Sequence, residues 1–336
     1  MKVLFIGGTG LISTACSRLA VERGIDLYLL NRGQSRTDQI PQEATVLTAD
    51  VRDKEQAAAA LEGRTFDAVV DWIGFTPDHV EQDIELFAGR VNQYIFISSA
   101  SAYQKPLSEY LITESTPLAN PHWQYSRNKI ACEERLIREY RENGYPVTIV
   151  RPSLTYGPSM IPLCVNNWGR PWTAVDRMIR GEKIIVPGDG TSLWTVTWNA
   201  DFAKGLGGLL GNQRALGHAF HITSDEVLTW DQIYREVGRA VGVEPEIVHI
   251  PSDLLAAYCP AEEGNLLGDK AVSAVFDNSK LKRFVPDFVA TTTFAQGVRR
   301  AIEWFQADPE RKQVDEETNE TWDRIIAAYE GAFPSD

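Results

Sequence analysis

The sequence predicts an α/β fold, a doubly wound parallel sheet with a smaller C-terminal substrate lobe. Three observations predict it. Short apolar runs alternate with helical stretches through the first half of the chain. A glycine-rich turn, Gly7-Gly8-Thr9-Gly10, follows the first run and opens a helix. Polar clusters then fall just after the later runs, where open α/β sheets bind their ligands.

Val3 to Ile6 reads as a buried strand, and Leu11, Ile12, Cys16, Leu19 and Ala20 recur at helical spacing up to a stop at Gly24. Further strands are predicted at 26–30, 44–48, 66–70, 93–97 and 147–150. The helices between them cover 54–62, 79–89 and the stretch from Tyr125 through Tyr140. Beyond Pro158 the texture changes to an irregular segment, 159–172, followed by a short helix at 174–180. Strands are expected at 183–186, 193–198 and 219–222, and helices at 201–210 and from an N-cap at Thr229 to about Val241. The tail from Thr291 carries Phe294, Val298, Ala301, Ile302 and Phe305 on one helical stripe. These readings give a dinucleotide-binding Rossmann domain over 1–158, with elements near 183–225 returning to it. Residues 159–182 and 226–336 mainly form the substrate lobe.

Bulk properties narrow the function. The 336 residues, 43% hydrophobic and 24% charged, describe an ordinary globular chain with a large core. A net charge of −13 with no basic run disfavours nucleic acid and anionic membranes as partners. Cys16, Cys132, Cys164 and Cys259 are scattered, without metal-ligand spacing, so no metal is expected and a reducing cytoplasm is the expected location. No apolar run reaches membrane-spanning length.

The glycine turn has a direct physical use. It allows positive φ and close approach of a pyrophosphate, and the following helix N-terminus offers free N–H groups. Gly7, Gly10, Leu11 and Ile12 are therefore candidate cofactor contacts, with Ser13 small enough to stand where a third glycine might. Asn31 and Arg32 end the second strand, Asp50 and Val51 follow the third, Gly74 the fourth, and Ser98 the fifth. Tyr125 and Lys129 lie four apart and share a helix face. A phenol titrates near 10, and a nearby ammonium is expected to lower that value, so the pair suits proton transfer to and from an alcohol.

This set resembles the extended short-chain dehydrogenase/reductase family, the NAD(P)-dependent epimerases and dehydratases. The resemblance covers nearly the whole chain and rests on Gly7-x-x-Gly10, Asp50-Val51, Ser98-Ser99-Ala100, Tyr125-x-x-x-Lys129, Arg151-Pro152 through Tyr156-Gly157-Pro158, and Gly188-Asp189-Gly190. It implies that Ser99 hydrogen-bonds the reacting hydroxyl, Tyr125 is the acid/base and Lys129 also holds the nicotinamide ribose. By the same likeness Asp50 and Val51 flank the adenine, Pro152 and Ser153 lie by the nicotinamide, and a homodimer forms through the helix bearing Tyr125. The implied activity is that of an NAD(P)-dependent epimerase or dehydrogenase acting on a sugar-like alcohol.

Departures from the pattern bear on the substrate. No carboxylate follows Ser99, which disfavours a 4,6-dehydratase. Leu154 and Trp194 stand where the family carries asparagine and arginine for a nucleotide diphosphate, so an ordinary nucleotide sugar is not expected unless Arg170 or Arg177 replaces that charge. Most tryptophans are expected to be core. Trp168, Trp172 and Trp194, with Ser101, are the candidates for a sugar's ring face. Asn31 in place of a carboxylate, with Arg32 and Arg36 nearby, predicts NADP over NAD. His122 reads as a structural hydrogen-bonding residue and Asp201 as a helix-start cap. Two other classes remain: an RNA-associated protein like the chloroplast stem-loop-binding branch, and a dinucleotide-sensing regulator without turnover.

Overall fold

The computed structural model describes residues 1–34 and 37–334. Seven strands form one parallel sheet: β1 (Lys2–Ile6), β2 (Asp26–Asn31), β3 (Thr45–Thr48), β4 (Ala68–Asp71), β5 (Tyr94–Ile97), β6 (Val147–Pro152) and β7 (Ala219–Ile222). Their spatial order is β7-β6-β5-β4-β1-β2-β3. The winding reverses between β1 and β4, and the crevice beyond the carboxyl ends of those two strands is where such sheets take ligands.

The central strands β1, β4 and β5 are buried on both faces because both faces are covered, whereas edge strand β3 buries only Leu47. Along β1 the side chains alternate between two cores. Val3 and Phe5 pack with α1 (Ser13–Glu22) and the helix Asn199–Leu209, while Leu4 and Ile6 pack on the opposite side with residues of α3 (Pro77–Phe87) and α4 (Gln124–Asn143). A seven-residue helix, α2 (Lys54–Ala60), is capped by the Asp53 carboxylate, which accepts from Glu55 and Gln56 N–H at 3.1 Å.

A third core, with Trp172, Trp194, Trp230, Phe294 and Ile326 among its residues, holds the lobe together. Its helices include Trp172–Arg180, Trp230–Ala240, Phe294–Gln306 and Glu316–Glu330. The Thr229 cap is a full capping box, and all five residues of the Phe294–Phe305 stripe are buried.

Two expectations change. Of the stretch 183–225, the helix Asn199–Leu209 and β7 join the sheet domain, but Ile184–Pro187 pairs with Ile247–Ile250 inside the lobe. The strand expected at 193–198 is two strands: Leu193–Trp194 pairs with Leu228–Thr229, and Val196–Trp198 with Leu154–Tyr156. Among the described residues, no helix is long and apolar enough to cross a membrane.

Candidate active site

The turn after β1 takes the backbone geometry that its glycines permit. Gly7 and Gly8 have φ of +95° and +105°, and a Cβ on Gly8 would come within 2.7 Å of Leu29 Cδ2. Ser13 does more than fill a glycine's place: its buried hydroxyl accepts the Gly10 N–H at 2.8 Å. The N–H groups of Leu11 and Ile12 donate to no other described residue, and α1 has no carboxylate in its first turn. That is the donor set an anion needs at a helix N-terminus, so the residues present fit a dinucleotide pyrophosphate. Asn199 Nδ2 donates to Leu11 O at 2.8 Å, and its amide occupies the space a Cβ on Gly157 would take.

At the neighbouring strand ends, Asn31 Oδ1 accepts Gly33 N–H at 2.9 Å and shapes the turn after β2. Arg32 is exposed and makes no ion pair among the described residues; Arg36 lies outside them. Asp50 Oδ1 accepts Arg52 N–H at 2.9 Å, and Val51 is buried.

Asp71, at the end of β4, is fully buried, and its Oδ1 accepts Ile73 N–H at 2.9 Å. Arg52 bridges it (3.8 Å) to Asp83 (3.2 Å), whose other oxygen accepts the Tyr94 hydroxyl at 2.8 Å. Burial and the Asp71 charge push Asp83 well above the usual carboxylate range. Gly74 is a glycine because Asp71 is there: a Cβ would stand 2.1 Å from Asp71 Oδ2.

Helix α4 carries Tyr125 and Lys129 into this crevice. Lys129 is 2% exposed, and its ammonium donates to Gly74 O at 2.6 Å and Ile97 O at 2.7 Å. Burial holds its pKa down to about 8, against the opposing charge of Asp71. The expected lowering of the Tyr125 phenol by Lys129 is corrected here. The lysine donates to two carbonyls, and burial raises Tyr125, with Ser99 acting the other way and the Asp269 charge adding to the rise.

Ser99, Ser101 and Ser126 form a hydroxyl chain, with Oγ separations of 2.9 and 2.7 Å. Ser101, expected as a substrate contact, is 3% exposed, and its hydroxyl is taken up by those of Ser99 and Ser126. Ser98 is likewise turned inward: its hydroxyl donates to Glu133, which also pairs with Arg151. Pro152 is buried at the end of β6 with Ser153 after it.

The tryptophan expectations divide. Trp172 (4% exposed, tilted on Phe305 at 5.5 Å) and Trp194 (1% exposed, 5.2 Å from Trp230) are core residues and offer no ring face to a ligand. Trp168, at 41%, does. Arg170 and Arg177 are committed elsewhere, to Asp315 at 3.4 Å and Asp323 at 2.6 Å. Asp201 does not cap its own helix. It accepts Thr291 N–H at 3.1 Å, Thr292 N–H at 2.9 Å and the Lys204 ammonium at 2.6 Å, tying down the segment before the Phe294 helix.

One positioning residue is absent from the sequence reading. Asn120 Oδ1 accepts the N–H groups of His122 (3.2 Å) and Trp123 (3.1 Å), while its Nδ2 donates to Ser101 O (2.9 Å) and Gly268 O (2.7 Å). It joins the start of α4, the serine turn and the lobe. Its signal was available, since an asparagine a few residues before a helix is a turn-former whose side chain accepts nearby N–H groups.

The pattern of the NAD dependent epimerase/dehydratase family matches residues 3–222. The chain belongs to that family. It is an enzyme fold of the extended short-chain type, with NAD as the family's cofactor. Chloroplast stem-loop binding protein of 41 kDa b from Arabidopsis thaliana is 29% identical over 262 residues, 74% of this chain and 65% of that protein. The 2'-dehydrokanamycin reductase of Streptomyces kanamyceticus is 23% identical over 86% of this chain and 80% of its own. Among solved structures, an epimerase from Methanothermobacter thermautotrophicus superposes with a TM-score of 0.76 at 17% identity, over 93% of this chain and 94% of that one.

Proposed function

We propose that the protein moves hydride between a nicotinamide and a secondary alcohol or ketone of a sugar-like substrate, with Tyr125 as acid/base. The observation that supports this is the Lys129 ammonium, 5.8 Å from the Tyr125 ring centroid and bonded to Ile97 O, two residues before Ser99. When bound, NAD or NADP supplies the hydride acceptor or donor. The Tyr125 hydroxyl exchanges a proton with the substrate oxygen, and Ser99 hydrogen-bonds that oxygen, held by Ser101 and Ser126. Lys129 is held on the Gly74 and Ile97 carbonyls, and by the family likeness it would also hold the nicotinamide ribose. Tyr125→Phe is expected to cut turnover by about 10²–10⁴ with cofactor affinity unchanged; wild-type turnover in that variant would refute the assignment.

NADP over NAD is part of the reading, supported by Asn31 in place of a carboxylate and by the unpaired, exposed Arg32. Arg32→Ala should weaken NADP⁺ more than NAD⁺ in a fluorescence titration. A homodimer through α4 is retained from the family likeness and is checked by light scattering. A substrate other than a nucleotide diphosphate sugar is supported by half-buried Leu154, by core Trp194 and by the engaged Arg170 and Arg177. The relative named for reducing 2'-dehydrokanamycin is consistent with a substrate lacking a nucleotide. The likeness to the stem-loop-binding protein favours a second reading, RNA association. Against it stands the net charge of −13, and a gel-shift titration with stem-loop RNA decides it.

A further inference from the structure

Two buried ammonium groups, Lys105 and Lys270, and the half-buried Asp269 carboxylate meet where the lobe joins the serine turn, and the proposed chemistry does not use them. Lys105 lies four residues beyond Ser101, and Asp269 and Lys270 lie on a π-helical turn, Leu266–Lys270, of the kind that often marks a functional site. Lys105 and Lys270 are each 4% exposed. The Lys270 ammonium donates to Asn265 Oδ1 at 2.6 Å and to Asp269 Oδ2 at 3.2 Å. The Lys105 ammonium stands 3.9 Å from Asp269 Oδ1 and has no hydrogen-bond acceptor among the described residues.

Two ammonium groups therefore share the Asp269 carboxylate directly, while Glu262 reaches Lys270 only through the Asn265 amide, which leaves the Lys105 ammonium with one ion-pair contact at 3.9 Å. An ammonium that is 4% exposed and has no hydrogen-bond acceptor among the described residues is costly, and a single anion supplies one. The cluster is also held in register with the reacting groups. Asn120 bonds both Ser101 O and Gly268 O, and the Asp269 charge is felt at the Tyr125 phenol. Trp168, the accessible tryptophan, lies with its ring centroid 5.5 Å from the Lys270 ammonium and presents a face on which a sugar ring can stack.

Resting on the reading of Tyr125 as the acid/base, we propose that Lys105 and Lys270, with Asp269 between them, form a subsite for a single carboxylate carried by the sugar-like substrate. The substrate class is thus a sugar acid. A diphosphate brings about two negative charges to a subsite that already holds Asp269 and has Glu262 behind Asn265, so it fits this subsite less well.

The test is calorimetric titration of NAD⁺-loaded protein with D-glucuronate and D-galacturonate, against D-glucose and D-galactose. D-Glucose 6-phosphate and UDP-glucuronate serve as separate arms. Charge-assisted hydrogen bonds of this kind correspond to roughly ten- to hundredfold in affinity. A uronate is expected to bind at least about tenfold tighter than its neutral sugar, with the preference lost in Lys105→Met and in Lys270→Met while neutral-sugar binding stays level. Thermal unfolding and NAD⁺ titration of both variants separate this from misfolding, and either variant suffices if the other does not fold. Equal binding of acid and neutral sugar, no binding of either, a preference that survives both substitutions, or tighter binding of the phosphate or the UDP-sugar overturns the proposal. The two readings fail separately. Uronate preference without turnover of any probe sinks the catalytic reading and keeps this one, whereas turnover of neutral sugars alone does the reverse.

Discussion

Glu133→Leu is expected to destabilise the protein by about 3–5 kcal/mol, the range for removing one partner of a buried ion pair. Glu133 and Arg151 are 2% and 5% exposed, joined by Nε–Oε1 at 2.9 Å and Nη2–Oε2 at 2.5 Å. Burial alone works against the Arg151 charge, and Glu133 more than offsets it, holding the arginine's pKa above its usual value. Without Glu133 the guanidinium keeps only the Tyr103 ring, 4.8 Å away, and its Nη1 has no acceptor to begin with. The Ser98 hydroxyl loses its acceptor as well, adding about 1 kcal/mol. Set against a typical total of about 5–15 kcal/mol, this loss is large. Arg151→Met should cost a similar amount. The double variant Glu133→Leu/Arg151→Met, which leaves no charge unpaired, should fall within about 2 kcal/mol of wild type. Urea unfolding followed by circular dichroism measures all four corners of the cycle. Single losses below about 1 kcal/mol that simply add in the double variant would refute the claim that this pair clamps α4 to β6.

Gly74→Ala drives a Cβ to 2.1 Å from Asp71 Oδ2, so overpacking of about 1–3 kcal/mol is expected, with weakened NAD⁺ binding in a fluorescence titration. Lys129 titrates near 8 in the fold against 10.5 unfolded, so between those values the unfolded chain binds more protons and stability rises with pH. Urea unfolding should show the wild type gaining on Lys129→Met across that window, by up to roughly 3 kcal/mol in all; a flat difference would refute it. Asp201 is held below its usual pKa: burial opposes this, but Lys204 and the Thr291 and Thr292 N–H groups outweigh it. Its contribution is present above the unfolded carboxylate range and is lost as pH falls, so Asp201→Asn should flatten the acid limb of a thermal-stability profile.

The sheet was legible because its central strands have to be apolar on both faces, a pattern that Val3–Ile6 and Tyr94–Ile97 show without help from the rest of the chain. The glycine turn and the Tyr125–Lys129 spacing were legible for the same local reason. Burial in the lobe was not. Trp168 and Trp194 look alike in sequence, but Trp194 packs on Trp230 and donates its indole N–H to Val272 O at 3.1 Å, contacts distant in the chain that make it core while Trp168 stays exposed. Lys105 and Asp269 are 164 residues apart, and no periodicity connects them.

The i, i+4 spacing of Tyr125 and Lys129 places both on one face of α4, but it does not by itself set what each can do. Lys129 is held by carbonyls from the ends of β4 and β5, and Gly74 can offer its carbonyl there because it has no side chain to collide with Asp71. Tyr125 is governed by burial, by Ser99 at the end of β5 and by Asp269 from the lobe. The pair is therefore tuned from three places in the chain that share no sequence signal: Asp71 acts on the lysine, Asp269 acts on the phenol, and Asn120 keeps the lobe aligned with the sheet. A chain with the same motif but neutral residues at 71 and 269 would carry the same helix and the same hydroxyl with different acidity. The acidity of these two groups is a property of the assembled crevice, and the motif by itself supplies only their spacing.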